Sequence, residues 1–438
     1  MNKACGLGFA LWACLFCGQV FSQPSPNQLP PAGSTGSNSC AASTCHGGIQ
    51  AWQGSNILGN EFITWSRLDK HRNAYQLLQT KQAKAIASKL DLAKPAHQTL
   101  ACLNCHAQNP MLNTPTSTDG INCESCHGNA AKWLRSHKNS SHQENIKNGM
   151  YPTNNPAAQA KLCLSCHLGT KGQFVTHRMM AAGHPRLSFE LTTFTAIQPP
   201  HFKVDNDWIK RKGEYNPPKS WAIGQVIASQ AILNGFADNE LGHDGIFPEL
   251  ALFDCHACHR QMSEKRGPPR WDIGPGRIHL NDSHFLMLRS IIKVAAPQEL
   301  AEFNKQISNL QIAISADHGS GVMPPEIMAK EIAKSLDKYI VIINQQPLEN
   351  KQLKNIFIAM VDESSKSQFS DPSGAEQAYM AIANLASQFY KIGALKSVGQ
   401  VNKALAEMRI NLSDDEHYKA EVFSTQLNNL KNIVIEDK

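Results

Sequence analysis

The most regular pattern of apolar and polar positions lies in the last third of the chain, residues 283–438. Apolar residues recur there every three or four positions, the spacing of one face of an α-helix. Asp371 and Pro372 stand before one stripe and are residue types favoured at a helix N-cap and first helical position. This part is therefore predicted to be an all-α helical bundle. Its stripes are Met328, Ile332, Leu336, Tyr339, Ile343, then Ala378, Ile382, Leu385, Phe389, then Val398, Val401, Leu405, Met408.

The earlier part of the chain mixes short helical patterns with turn-rich segments. Helical spacing is predicted over 61–90, 156–167, 174–184 and 220–236, whereas 107–120 and 196–217 are rich in turn residues and proline. Residues 263–282 contain Gly267-Pro-Pro and Gly274-Pro-Gly and are predicted to be a linker. The pattern favours two domains, 40–262 and 283–438, in a mainly α chain with little β.

The N-terminus has the pattern of an export signal. Lys3 is followed by a short apolar run, Leu7 to Phe16, and cleavage is expected after Ser22. Residues 1–22 are thus predicted to be a signal peptide, and the Pro-, Ser- and Gly-rich residues 23–39 a flexible linker. A lipoprotein site at Cys14 is the alternative, but the apolar residues after it fit poorly. We expect a periplasmic or otherwise exported protein, soluble after cleavage, with no transmembrane segment.

Cysteine spacing indicates the chemistry. Of 13 cysteines, three precede residue 22, and the other ten form five pairs that each end in Cys-His. C-x-x-C-H is the attachment string of c-type haem, because two thiols can bond the porphyrin vinyl groups while the histidine binds iron. Haem c is therefore predicted five times, four by C-x-x-C-H and one by a longer C-x4-C-H. The attachment cysteines and iron-binding histidines are Cys40, Cys45, His46; Cys102, Cys105, His106; Cys123, Cys126, His127; Cys163, Cys166, His167; and Cys255, Cys258, His259.

Cysteine pairs of this spacing also occur outside haem proteins. A single C-x-x-C-H can arise by chance, or be a zinc or thioredoxin-type pair. Four such strings in one chain argue against chance, zinc binding and a thioredoxin-type pair. The longer string from Cys40 to His46 keeps the alternative of a disulfide or free thiols.

The distribution of charge argues against nucleic acid as a partner. The formal net charge is +6, but residues 1–282 carry 26 Lys and Arg against 18 Asp and Glu, while residues 283–438 carry 16 against 18. The positive excess therefore coincides with the strings, where haem propionates need counter-ions. No basic run is interleaved with aromatic residues, so nucleic-acid binding is not expected.

Thirteen further histidines compete for the second axial position on iron. His71, His137, His177 and His184 lie beside the strings and are the predicted distal ligands. His177 and His184 are seven apart, which places them on one face if the helix persists. The fifth distal ligand stays open among His97, His201, His243, His256 and His284, with Met179 and Met180 as weaker candidates.

Three segments carry a resemblance to a known family: Trp65 to Tyr75, Asp119 to Gly128 with His137, and His177 to Leu187. They resemble exported multihaem cytochromes c, similar to the tetrahaem cytochromes that accept electrons from hydroxylamine oxidoreductase. The resemblance covers residues 40 to about 262. It implies a mostly helical, haem-packed domain with His71, His137, His177 and His184 as distal ligands. The tetrahaem members have four strings, whereas this chain has five.

Two functions follow from the number of histidines. Two imidazoles on every iron favour electron transfer between redox partner proteins, through haems that strings 21 residues apart, at Cys102 and Cys123, should hold close together. A five-coordinate haem would instead favour an oxidoreductase acting on a small nitrogen or sulfur compound. No C-x-x-C-K string of the kind used by nitrite-reducing relatives is present, and no catalytic residue is assigned. The electron carrier is the favoured reading.

Overall fold

The computed structural model describes residues 34–108, 118–260, 269–274, 277–315, 323–366 and 368–436. The predicted signal peptide and most of the predicted flexible linker lie outside these residues. The described chain is mostly helical, which confirms the mainly α prediction. In this part of the chain no helix is long and apolar enough to cross a membrane.

The first half consists of short helices joined by turns. They are α1 Glu61–Leu68, α2 Ala74–Leu77, α3 Lys81–Lys89, α4 Leu100–His106, α5 Cys123–His127, α6 His142–Lys147, α7 Pro156–Leu164, α8 His177–Ala182, α9 Leu191–Ile197 and α10 Asn206–Lys212. The longer α11, Pro217–Phe236, follows, and then one hairpin, in which β1 His243–Asp244 pairs antiparallel with β2 Phe247–Pro248.

The last third is a bundle of longer helices, as the stripes predict. They are α12 Ser283–Ala295, α13 Leu300–Ser315, α14 Pro325–Ser335, α15 Asp337–Gln345, α16 Asn350–Ser365, α17 Pro372–Lys391, α18 Val398–Asn411 and α19 Ala420–Glu436. Asp371 caps α17 by accepting a 2.8 Å hydrogen bond from the Gly374 N–H, which confirms the predicted N-cap.

Helix α11 is the centre of the larger core. It packs against α7 and α9 of the earlier part and against α12, α14, α15 and α17 of the bundle. Its buried side chains include Trp221, which is 2% exposed. Gly224 allows the close approach of α9, because a Cβ there would lie 3.1 Å from Leu191. The resulting core is one contiguous cluster of buried side chains, the first of which in the sequence is Ala160 and the last Val434.

The predicted linker is partly built into this core. Arg270 is 7% exposed, and its guanidinium lies 2.8 Å from Asp282 and 2.6 Å from Asp371. Trp271, also buried, has φ 53°, in the left-handed region, at the turn that follows. Proline and glycine indicated a break between helices, which is present, but they do not indicate whether such a segment is exposed. Independent folding of 40–262 and 283–438 stays a prediction.

A second, smaller core lies among the early helices. It is built mainly of alanines, with Leu78 and Leu103, and joins α3 and α4. Here the chain departs from the predicted helical run of 61–90, since α1 ends at Leu68 and His71 lies in a short 3-10 turn, Lys70–Asn73. Asp69, in extended conformation, breaks the helix and caps this turn through the His71 N–H.

Candidate haem-binding sites

The five strings sit at the ends of short helices and turns. Cys40 ends the 3-10 turn Ser37–Cys40, and the second string forms the last turns of α4. The third string is α5 itself, the fourth begins in α7 and continues into the π-turn Ser165–Gly169, and the fifth begins in the 3-10 turn Cys255–Ala257. All ten cysteines are free thiols, so they are available for thioether bonds.

Each string histidine faces one other histidine. The ring centroids of these pairs are 6.0–6.4 Å apart. All four predicted distal histidines take part, and each faces a different string. The pairs are His46 with His137, His106 with His184, His127 with His201, His167 with His71, and His259 with His177.

These separations fit one iron between two imidazoles. A metal–imidazole bond is about 2 Å long, so two bonds and two half-rings correspond to about 6 Å between centroids. Edge-to-face contacts between other rings have similar centroid distances, as for Tyr75 and His97 at 6.4 Å. The indication of a metal site is therefore the pairing of every string histidine with a second histidine, together with a distance that admits one iron. The chain's own residues therefore fit covalently attached haem at all five strings.

The ring orientation is fixed from the opposite nitrogen in six of the ten histidines. Their Nδ1 atoms lie 2.6–3.4 Å from an acceptor, which leaves Nε2 for a metal. The acceptors are Glu61 for His46, Asp69 for His71, and the carbonyl oxygens of Ala74, Leu134, Pro185 and Pro199 for His106, His137, His184 and His201.

Burial keeps several of these rings neutral, which is the form that binds a metal. Burial, helped by the neighbouring His201, lowers the pKa of His127 to about 4. Burial and then the nearby His71 lower the pKa of His167 to about 4. Burial also lowers the pKa of His106.

His177 and His184 belong to different sites. Helix α8 begins at His177 and ends at Ala182, where Gly183 has φ 116°. The two histidines therefore do not share one helical face, and they meet the fifth and the second string respectively. The backbone N–H of His177 is held by Glu249, 2.8 Å away, on the segment that leads to the fifth string.

His201 is the partner that sequence reasoning left unresolved. It lies in the proline-rich segment between α9 and α10, and its ring centroid is 6.4 Å from that of His127. Other candidates lie elsewhere. His284 is buried in the larger core with Nδ1 2.7 Å from the Gln225 side chain, and His97 packs against Tyr75. Only the packing of the loop distinguishes His201 from these.

Polar contacts join the strings in two groups. The carboxylate of Glu124, inside the third string, accepts hydrogen bonds from Ser34, Thr35 and Gly36, just before the first string. The Asn104 side chain, inside the second string, donates to Gly172 at 2.6 Å, and Gln173 returns a bond to the Asn104 carbonyl. These contacts fix the first string against the third, and the second against the segment after the fourth.

Comparison with known proteins gives a match for part of the chain. Residues 39–128, which include the first three strings, match the family model of cytochrome c554 and c-prime. The searches of curated proteins and of solved structures gave no match. The family match supports a multihaem cytochrome c with covalently bound haem.

Proposed function

We propose that this protein is an exported cytochrome carrying five haems c, each held between two histidines, and that it passes electrons between redox partner proteins. The single observation that carries the proposal is the set of five histidine pairs, each containing one string histidine. The predicted signal peptide supports export, because c-type haem is attached outside the cytoplasmic membrane.

The proposal assigns each residue a role. The ten string cysteines form the thioethers, and His46, His106, His127, His167 and His259 are the proximal ligands. His137, His184, His201, His71 and His177, in the same order, are the distal ligands. Bound haem supplies the iron that gains and loses one electron. The protein holds both imidazoles of each pair in place, so that little rearrangement accompanies the electron.

The alternative function is an oxidoreductase acting on a small nitrogen or sulfur compound. It requires an iron with an open position, where a substrate can bind. Each of the five string histidines has a histidine partner at the separation that two coordination bonds require. The geometry therefore favours electron transfer.

Haem number and carbon monoxide binding test the proposal together. We expect the intact mass of the denatured chain to include five haems, and one fewer in the double variant C40S/C45S. The reduced protein should leave its absorption spectrum unchanged under carbon monoxide, because histidines fill both axial positions. A mass with four haems would remove the first string from the proposal. A spectral change that saturates at one equivalent of carbon monoxide per chain would favour the oxidoreductase.

A further inference from the structure

We propose that Glu61 and Asp69 lower the reduction potentials of the first-string and fourth-string haems below those of the second- and third-string haems, by accepting hydrogen bonds from the axial ligands His46 and His71. The inference rests on the proposed function, since it assumes that these histidines bind iron. It concerns two residues that lie outside the attachment strings and that contact the ligands rather than the haem.

Asp69 is fixed on three sides. Its Oδ1 lies 2.9 Å from Nδ1 of His71 and 3.0 Å from the backbone nitrogen of the same residue. Its Oδ2 accepts a 3.0 Å hydrogen bond from the side chain of Gln198, three residues before His201. Asp69 is 9% exposed, so water does not replace these contacts.

Glu61 has the same arrangement at the other site. Its Oε2 lies 3.0 Å from Nδ1 of His46, and its Oε1 accepts a 2.8 Å hydrogen bond from the Leu58 N–H. The side chain is 16% exposed. A second carboxylate is thus oriented by the backbone and aimed at an axial histidine.

Both groups are carboxylates, and both oxygens of each have a hydrogen-bond partner. Asp69 contacts His71 and Gln198, and Glu61 contacts His46 and the Leu58 N–H. A carboxylate oxygen therefore lies directly beside Nδ1 of each ligand, where it can accept a charge-assisted hydrogen bond.

The other axial histidines with a partner at Nδ1 meet neutral groups. His106, His137, His184 and His201 face backbone carbonyl oxygens. A carboxylate draws the Nδ1 proton more strongly than a carbonyl and makes the imidazole a stronger electron donor. A stronger donor stabilises ferric over ferrous iron, which lowers the potential. The second-string haem has carbonyl contacts at both histidines, and the third-string haem has one at His201. Both should be reduced at higher potential than the first-string and fourth-string haems.

Two substitutions that keep the hydrogen-bond acceptor and remove the charge test this. In a spectroelectrochemical titration of the full-length haem protein, Asp69→Asn and Glu61→Gln should each move one haem of five to higher potential and leave it low-spin. The double variant should move two. Asn retains the capping role of Asp69. Glu144→Gln removes an equal charge from the exposed face of α6 and serves as the control.

The outcomes are distinct from failure of the proposed function. Unchanged potentials in both variants, or an equal shift in E144Q, would overturn the tuning role. A high-spin haem in D69N or E61Q would also overturn it, since the carboxylate would then be needed to hold the ligand. A high-spin haem in the unmodified protein would instead contradict the proposed function. Should D69N fail to fold, E61Q decides the inference alone.

Discussion

His201 illustrates how an irregular segment can position a histidine opposite a string. Its Nδ1 lies 3.4 Å from the Pro199 carbonyl oxygen, and its ring centroid is 6.4 Å from that of His127. Two consecutive prolines before it stiffen the loop, since each fixes its own φ. The position of the ring therefore depends on the backbone of the loop and on α9, from which the loop leaves.

Replacing His201 tests its assignment. His201→Ala should convert one of five haems from low-spin to high-spin and allow it to bind carbon monoxide after reduction, because one axial position loses its ligand. Absorption and magnetic circular dichroism spectra measure the change. His97→Ala is the matched control and should leave the spectra unchanged. An unaltered spectrum in H201A would exclude His201 as a ligand.

Asp254, directly before the fifth string, predicts a pH dependence of stability. Its side chain is 9% exposed, and burial, followed by repulsion from Asp371, raises its pKa to about 6. The unfolded carboxyl has a pKa of about 3.9. The folded state thus binds the proton more tightly, and this contribution to the free energy of unfolding is lost as the pH rises through about 6.

Asp254→Asn should remove that dependence. The amide stays neutral and still offers an oxygen to the His256 N–H. Relative to the unmodified protein, the variant should gain about 1.4 kcal/mol of unfolding free energy between pH 5 and pH 8, because one pH unit below the folded pKa is worth about 1.4 kcal/mol. Thermal or denaturant unfolding of the haem protein at the two pH values measures this. A difference that does not vary with pH would contradict the raised pKa.

At the level of elements, the apolar stripes predict the helices of the last third. The same spacing does not predict where the early helices begin and end. Stripes such as Ala378 to Phe389 are buried, as expected for a bundle. The helical pattern predicts one run over 61–90, but Asp69 ends α1 and caps the turn that follows. Helical spacing reports which face is apolar and not where a side chain interrupts the backbone hydrogen bonds.

Helix α11 should affect the thermal stability of fragments of the last third. It contacts α12, α14, α15 and α17, so a fragment that starts at residue 283 exposes their apolar faces. We expect fragments 217–438 and 283–438 both to be helical by circular dichroism and free of haem absorption. The longer one should unfold at the higher temperature, because α11 buries apolar surface. If 283–438 stays unfolded alone, the last third is not an independent domain.

On the scale of the whole molecule, the strings predict five haem sites, and the structure shows which histidine faces each string histidine. The pairing could not be read from spacing, because partners are far apart in sequence, as for His46 and His137 or His177 and His259. The four predicted distal histidines each face a string histidine, and their role as ligands stays a prediction. The position of His201 opposite His127 depends on tertiary packing that no local sequence pattern encodes.

The match to cytochrome c554 and c-prime covers 39–128 and does not extend to the bundle. The role of the last third is therefore argued from packing alone. Arg186, close to His184, reaches Glu376 at 2.8 Å and Asp415 at 3.0 Å, so ion pairs tie a haem-site segment to the bundle. This contact supports a structural role for the bundle, which holds the segment after α8 in place.

Electron paramagnetic resonance of the fully oxidised, full-length protein tests the central claim most directly. Five iron sites with two histidines each predict low-spin ferric signals only, integrating to five haems per chain once magnetic coupling between neighbours is allowed for. A high-spin ferric signal equivalent to one haem per chain would contradict the account, because one histidine pair would not hold iron on both sides.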